Sequence, residues 1–494
     1  MSIRHAVTIC QLVVILQLTS GVAPAGQRTL RSLGAVGDGV TDDRAAIEAA
    51  LIQAAGAEID GEHATYAVHG TIVVPNDVQL RNAKFVQTME PVDVSEYIPS
   101  TRGAGELQVE PPDALRGMVG SLPRLRPDGV AISSADVVLS AEQAENLLRS
   151  VSLNTLEITG APNNPVSVRL EQVTINRGKH PQTGHDNCAG IFIMHASPVV
   201  MNEIEVTGNG KGCGVSLRNC SQVQLRRLNI HDMNWAPYLG DPVFELASAK
   251  SIKEDFGWND FPLYSFDRGL GTFVRRRVRE QMFVTDSTDV QLLDSKIERL
   301  QTKIGDQLYP LQADGVTMTD ITNLVVKNCQ FSTVWEGIDL TGGMCDGIVV
   351  ENCTATDTLT FGFKLAHPKR NAKLINCTAS RAGLAGFVME PEVENIEFID
   401  CRALETGASG YWIREDGQPQ AGIQGFRLGT NPALSTPNRV TFQRCAALNT
   451  SFPNTMAIGF CCEGGIDPAE RQIRAVNCTV VGAAERDFQG LVVE

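Results

Sequence analysis

The chain has 494 residues, 53.3 kDa and a formal net charge of -15, from 42 Lys plus Arg against 57 Asp plus Glu. An acidic balance excludes a nucleic-acid binder that works through a basic footprint, and equally a protein that docks on an anionic membrane. With 43% apolar and 20% charged residues the composition is globular, and 45 glycines against 6% aromatics suit a fold of many tight turns.

Residues 1–25 read as an export signal. Arg4 and His5 precede an apolar run from Ala6 to Leu18, and Ala23-Pro24-Ala25 resembles a cleavage site, so a mature chain would begin near Gly26 in a secreted or periplasmic protein. The run is too short and polar to span a bilayer, and no later segment reads as transmembrane.

Residues 26–59 hold Gly34-Ala35-Val36-Gly37-Asp38-Gly39-Val40-Thr41-Asp42-Asp43 and then an alanine-rich stretch. Thr41 or Asp42 is expected to cap a helix near residues 42 to 55 with Ala45, Ile47, Ala50 and Leu51 inward. Such a helix would cover the open first coil of a stacked repeat, because terminal coils need caps.

From residue 60 onward a repeat dominates. Gly190-Ile191-Phe192-Ile193, Gly214-Val215-Ser216-Leu217, Gly315-Val316-Thr317-Met318, Gly337-Ile338-Asp339-Leu340, Gly362-Phe363-Lys364-Leu365, Gly386-Phe387-Val388-Met389 and Gly425-Phe426-Arg427-Leu428 share one pattern. Most spacings are 22 to 25 residues, and a second apolar stretch ending in Cys329, Cys353, Cys377 or Cys401 follows several copies. Alternation over four or five residues makes strands, and this period without helical patterning makes a solenoid whose stacked turns bury one continuous core. The leucine-rich pattern is absent. The expected fold is all-β: a right-handed single-stranded parallel β-helix over residues 60–494. Its cysteines should form a buried, reduced column. Asn-Cys-Ser or Asn-Cys-Thr at 219, 352, 376 and 477 reads as stacked turn residues rather than glycan acceptors.

Two excursions leave the coils, at about residues 86–127 and 233–282. The second holds Trp235 and Tyr238, just after His231 and Asp232, and aromatics in a lateral wall could stack on sugar faces.

The glycine- and aspartate-rich entrance with its alanine-rich helix, together with the coils, resembles the pectate-lyase-like β-helix superfamily. That resemblance implies a carbohydrate-active protein: a polygalacturonase-type hydrolase, a polysaccharide lyase, a uronan epimerase, or a tailspike. Gln312-Ala313-Asp314-Gly315 and Val334-Trp335-Glu336-Gly337 are similar to the two carboxylate motifs of the polygalacturonases, which implies catalytic roles for Asp314 and Glu336. Trp335 replaces one carboxylate of that pattern, and its His-Gly and Arg-Ile-Lys motifs are missing.

Strand alternation points the same way. Ile338 and Leu340 should face the core, so Asp339 faces outward, in one column with Thr317, Lys364, Val388 and Arg427. Asp314, Glu336, Asp339 and Lys364 then make a strip with paired carboxylates for glycosyl hydrolysis. Arg427, His231, Asp232, Trp235, Tyr238 and Trp335 are substrate-binding candidates. No metal or other cofactor is expected for a hydrolase; a lyase or epimerase would use Lys364 or Arg427 as base and Ca2+ held by Asp339 and Glu336. The third reading is a non-catalytic glycan-binding surface protein. The expected partner is a polysaccharide or oligosaccharide, and the rod could be a monomer or homotrimer.

Overall fold

The computed structural model describes residues 28–88, 154–177, 189–208, 213–231, 264–267, 272–275, 282–298, 302–304, 307–309, 314–341, 343–366, 369–390, 392–408, 423–429, 439–452, 454–463 and 467–494. The expected signal and most of both excursions lie outside these residues.

Each coil contributes to three parallel sheets. One coil illustrates the construction: Phe361–Leu365 belongs to the first sheet, Lys369–Ile375 to the second and Thr378–Ser380 to the third. Every strand of this coil pairs in parallel with its counterpart one coil earlier and one coil later, as Phe363 does with Ile338 and Phe387. The whole is a right-handed parallel β-helix, the hand that parallel crossovers take in nearly all proteins.

Single left-handed residues make the corner between the second and third sheets. Asn328, Asn352, Asn376 and Asp400 all have φ between 50° and 55°, a conformation that Asn and Asp tolerate better than other side-chain-bearing residues. Their side chains form a ladder: Asn376 Nδ2 donates to Asn352 Oδ1 at 2.8 Å and Asn352 Nδ2 to Asn328 Oδ1 at 3.3 Å. The sequons at 352 and 376 are therefore stacked turn residues.

The cysteine after each left-handed corner residue (Asn328, Asn352, Asn376, Asp400 and Arg444) turns inward. Cys329, Cys353, Cys377, Cys401 and Cys445 are free and buried. Each thiol points at a strand carbonyl of the preceding coil, Cys401 Sγ lying 3.3 Å from Leu374 O. Burial holds the Cys401 thiol well above its ordinary pKa. A small apolar side chain with a weak donor suits this corner.

The recurrent glycines have a steric cause. A Cβ on Gly337 would lie 2.4 Å from Gly362 O and 2.7 Å from Ala355 Cβ; on Gly362 it would lie 2.5 Å from Ala379 Cβ. The third strand of each coil presses against the start of that coil's own first strand, so glycine faces alanine across the interior. In the C-terminal half the core is a stack of phenylalanines: Phe363, Phe387, Phe426 and Phe460 have successive ring centroids 5.0, 4.7 and 4.5 Å apart, their planes nearly parallel. These spacings match that of hydrogen-bonded strands.

The N-terminal helix spans Arg44–Ala54 and buries Ile47, Ala50, Leu51 and Ala54 beside the strand Ile72–Val74. Two expectations fail here. Ala45 is not among the helix's buried residues, and Ala54 completes the inward face instead. The N-cap is Asp43, and its carboxylate reaches back to accept from Val36 N at 2.6 Å and Gly37 N at 2.9 Å. Asp38 meanwhile accepts from Val40 N, Thr41 N and Thr41 Oγ1. The aspartates of the entrance motif thus fold the loop, while Asp42 Oδ1 accepts from Arg44 N and ties the helix start to His69 N.

Candidate functional site

The outward column of the first sheet runs Thr317, Asp339, Lys364, Val388, Arg427 and Cys461, each residue paired in register with the next. Asp314 and Glu336 stand one residue before Gly315 and Gly337, where the chain enters this sheet. In-register pairing brings Asp314, Glu336 and Asp339 together, so that one oxygen from each lies within 4.8 Å of the others.

Lys364 joins them from the next coil. Its Nζ is 3.2 Å from Glu336 Oε2 and 3.4 Å from Asp339 Oδ1. Two hydroxyls complete the cluster. Thr317 Oγ1 donates to Asp314 Oδ2 at 3.1 Å, and Thr360 Oγ1 lies 3.4 Å from Glu336 Oε1 while also reaching Trp335 O.

The position of Asp339 differs from expectation in one respect. It does face away from the core, yet it is only 4% exposed, and Asp314 and Glu336 are 1% and 3% exposed. Alternation along a strand settles which side a residue takes, not what lies above it. The Asp339–Lys364 pair is thus a desolvated ion pair and not a solvated one. Lys364 is the open end of the cluster, with 15% of its side chain exposed.

Burial sets the protonation. Desolvation, reinforced by the Asp339 carboxylate, pushes Glu336 up to about 8 against the pull of Lys364. Asp339 is also raised by burial, with Lys364 as the main opposing influence. Burial by itself would lower the Lys364 ammonium, but Glu336, Asp339, Asp314 and Glu390 together hold it above its ordinary value. Three carboxylates crowded around one ammonium cannot all ionise cheaply, and burial favours the protonated form of Glu336 and, against the pull of Lys364, of Asp339.

The three carboxylates are close enough to hold a cation. The Lys364 ammonium already supplies that countercharge to two of them, and Ca2+ calls for six to eight oxygen ligands.

The remaining expected site residues are not gathered here. Arg427 lies two strands further along the column, where its Nη2 pairs with Glu463 Oε2 at 3.0 Å. His231 belongs to the third sheet, paired with Thr207, and its Nε2 lies 3.1 Å from Glu205 Oε1. Trp335 is 5% exposed, so its ring offers no open face to a sugar. Asp232, Trp235 and Tyr238 lie outside the described residues. Sequence reasoning missed Thr360, Glu390 and Lys369 as members of the surroundings. Lys369 had a readable signal, being a lysine at a repeat position where the neighbouring coils carry Cys345 and Val393.

Comparison with known proteins is consistent with the architecture. Residues 280–426 match the family model described as a right handed beta helix region, and residues 35–91 match that of the N terminal extension of bacteriophage endosialidase. No curated protein matches. Among solved structures, PfbA, a surface adhesin of Streptococcus pneumoniae, is 10% identical with a TM-score of 0.37, over 86% of this chain and 91% of that one. Tailspike protein 3 of bacteriophage CBA120 is 10% identical with a TM-score of 0.41, over 95% of this chain and 59% of that one. The A-module of the mannuronan C-5 epimerase AlgE4 of Azotobacter vinelandii is 12% identical with a TM-score of 0.38, over 95% and 97%. Likenesses this distant do not bear on chemistry. Among the described residues, no helix is long and apolar enough to cross a membrane.

Proposed function

We propose that this chain is a glycoside hydrolase that cleaves a polysaccharide or oligosaccharide with paired carboxylates. One observation carries the reading: neighbouring coils bring three buried carboxylates around a single ammonium, and one of the three retains its proton to about pH 8. The β-helix does not need charges there. At the same column position other coils carry Val388 and Cys461, both buried. Burying ions costs several kcal/mol each unless they are paired, so a cluster of this kind is a candidate for function.

In this reading Glu336 is the general acid. It gives its proton to the glycosidic oxygen as the bond to the anomeric carbon breaks. Asp339 or Asp314, ionised, takes a proton from the water that attacks that carbon or attacks it directly. Lys364 holds the ionised carboxylate and orients the substrate from the open end of the cluster. A lyase reading would need a neutral amine as base, and the carboxylates around Lys364 favour its charged form.

The test is digestion of a panel of neutral and uronate-containing glycans. Hydrolysis releases reducing ends without the ultraviolet absorbance of an unsaturated uronate, and Asp314→Asn and Glu336→Gln should each lower turnover by about 10² or more. Absorbance rising with cleavage would replace the reading with elimination, and full activity in both variants would remove this cluster from the chemistry. Export is proposed on Arg4, the apolar run and Ala23-Pro24-Ala25. Amino-terminal sequencing of the exported chain should begin near Gly26, and an intact Met1 would overturn it.

A further inference from the structure

The turn after the Asp339 strand is clamped at one residue. Gly343 N donates to Thr319 Oγ1 at 2.9 Å, a residue of the preceding coil. Gly343 O accepts from Lys369 Nζ at 2.6 Å, a residue of the next coil. A Cβ at 343 would sit 1.7 Å from Asp320 Oδ1, so any side chain there would have to displace the Asp320 carboxylate.

Lys369 is an unexpected residue for its place. It occupies a core-facing position, in register with Cys345 and Val393, both buried, and is itself 0% exposed. Val393 shows that this position accepts a plain apolar side chain one coil away. An ammonium in such surroundings is costly unless it has partners. Its partners are the Gly343 carbonyl and the Cys345 thiol, with the Asp339 and Asp320 carboxylates attracting it from further off.

We propose that Lys369 is a positioning residue for the reaction above: it fixes the turn after the Asp339 strand and sets a second positive charge behind the Asp339 carboxylate. The inference rests on the hydrolase reading for its meaning in catalysis, but the electrostatic placement is testable without substrate. Asp339 is faced by Asp314 from the preceding coil, Glu336 on its own coil, and Lys364, Lys369 and Glu390 from the next coils. Cys345 and Asp320 face Lys369 itself. Asp314, Glu336, Asp339 and Lys364 sum to a charge of -3 + 1 = -2 when all are ionised, and the Glu336 proton leaves -1. Glu390 adds a further negative charge on that side, so Lys369 offsets part of the remainder and favours ionised Asp339 beside protonated Glu336. Burial pulls Lys369 below its ordinary value, while Cys345 and Asp339 favour its charged form.

The experiment compares wild type with Lys369→Met and Lys369→Arg. The Asp339 carboxyl is followed by infrared titration, its band identified as the one lost in Asp339→Asn. In Lys369→Met its midpoint should rise by about one pH unit, the scale of losing a nearby opposite charge. Lys369→Arg should restore it. On a cleaved glycan, the acid limb of kcat should move up by the same amount in Lys369→Met with KM unchanged. Thr319→Val, which opens the other arm of the clamp but leaves every charge, should lower kcat without moving the limb. An unmoved Asp339 band in folded Lys369→Met overturns the inference even if the wild type cleaves glycans. A moved band in a chain that cleaves none keeps Lys369 as the tuner of Asp339 and removes the hydrolase reading. Should Lys369→Met fail to fold, Lys369→Gln, which keeps an N–H donor for Gly343 without the charge, is subject to the same criterion.

Discussion

Replacing Glu336 by Gln separates the charge of the site from its shape. Glutamine mimics the protonated carboxyl that burial enforces, so the variant should be about as stable as wild type near pH 5. The two should part as pH rises. In the unfolded chain Glu336 ionises around its ordinary value of 4.5, while in the folded chain it holds its proton to about 8. Between those values the folded state binds the extra proton, so this group makes wild-type stability fall as pH climbs. Linkage with these two values puts the fall at roughly 3 kcal/mol between about pH 5 and pH 8. Glu336→Gln has no such group and should gain that much over wild type across the same interval. The assay is urea unfolding of both proteins at the two pH values, with ΔG extrapolated to water. Turnover should meanwhile drop by about 10² or more, because the acid is gone. Parallel pH dependences in the two proteins would refute the protonation argument, whatever happens to activity.

Three other outcomes are expected of the scaffold. Phe426→Ala removes the middle of the ring stack and should cost about 3–5 kcal/mol in the same unfolding assay. Gly337→Ala puts a methyl against Gly362 O and Ala355 Cβ and should cost about 1–3 kcal/mol by overpacking, with a matching drop in soluble yield. Thiol titration of the denatured, non-reduced protein should find Cys329, Cys353, Cys377 and Cys401 free, and disulfides among them would contradict the column.

The first sheet was legible because its signal repeats. Gly337-Ile338-Asp339-Leu340 and its copies display glycine, inward and outward positions in one order, and the pairing of Thr317, Asp339 and Lys364 follows directly. The third sheet was not legible. Its strands, such as Thr354–Thr356, have three residues, too few for alternation to show against a turn. The glycine column was visible but its cause was not, since that cause is Ala355 or Ala379 arriving from this unseen sheet. In the candidate site, the gathering of Asp314, Glu336 and Asp339 could be read from register alone. Their burial could not, because it depends on atoms above the sheet and not on the strand. The N-cap fell on Asp43, one residue later than expected, and its carboxylate serves the loop at Val36 and Gly37 instead of the helix, a tertiary demand that local capping rules do not contain.

The in-register ladder has a consequence for how the chain folds. Partners such as Ile348 and Ala372, or Ala372 and Ile396, are 24 residues apart, one coil's length. A separation of that size in a chain of 494 residues gives a relative contact order of about 0.05, below even the range of helical bundles and far below that of β-sandwiches. Folding can begin at many points and extend coil by coil. The exceptions are the seams beside the excursions, where Ile72 pairs with Leu156 and Val215 with Met282. Growth started on one side of a seam must wait there for a distant segment, so a partly folded species would end at these seams, with an open strand edge exposed to other chains.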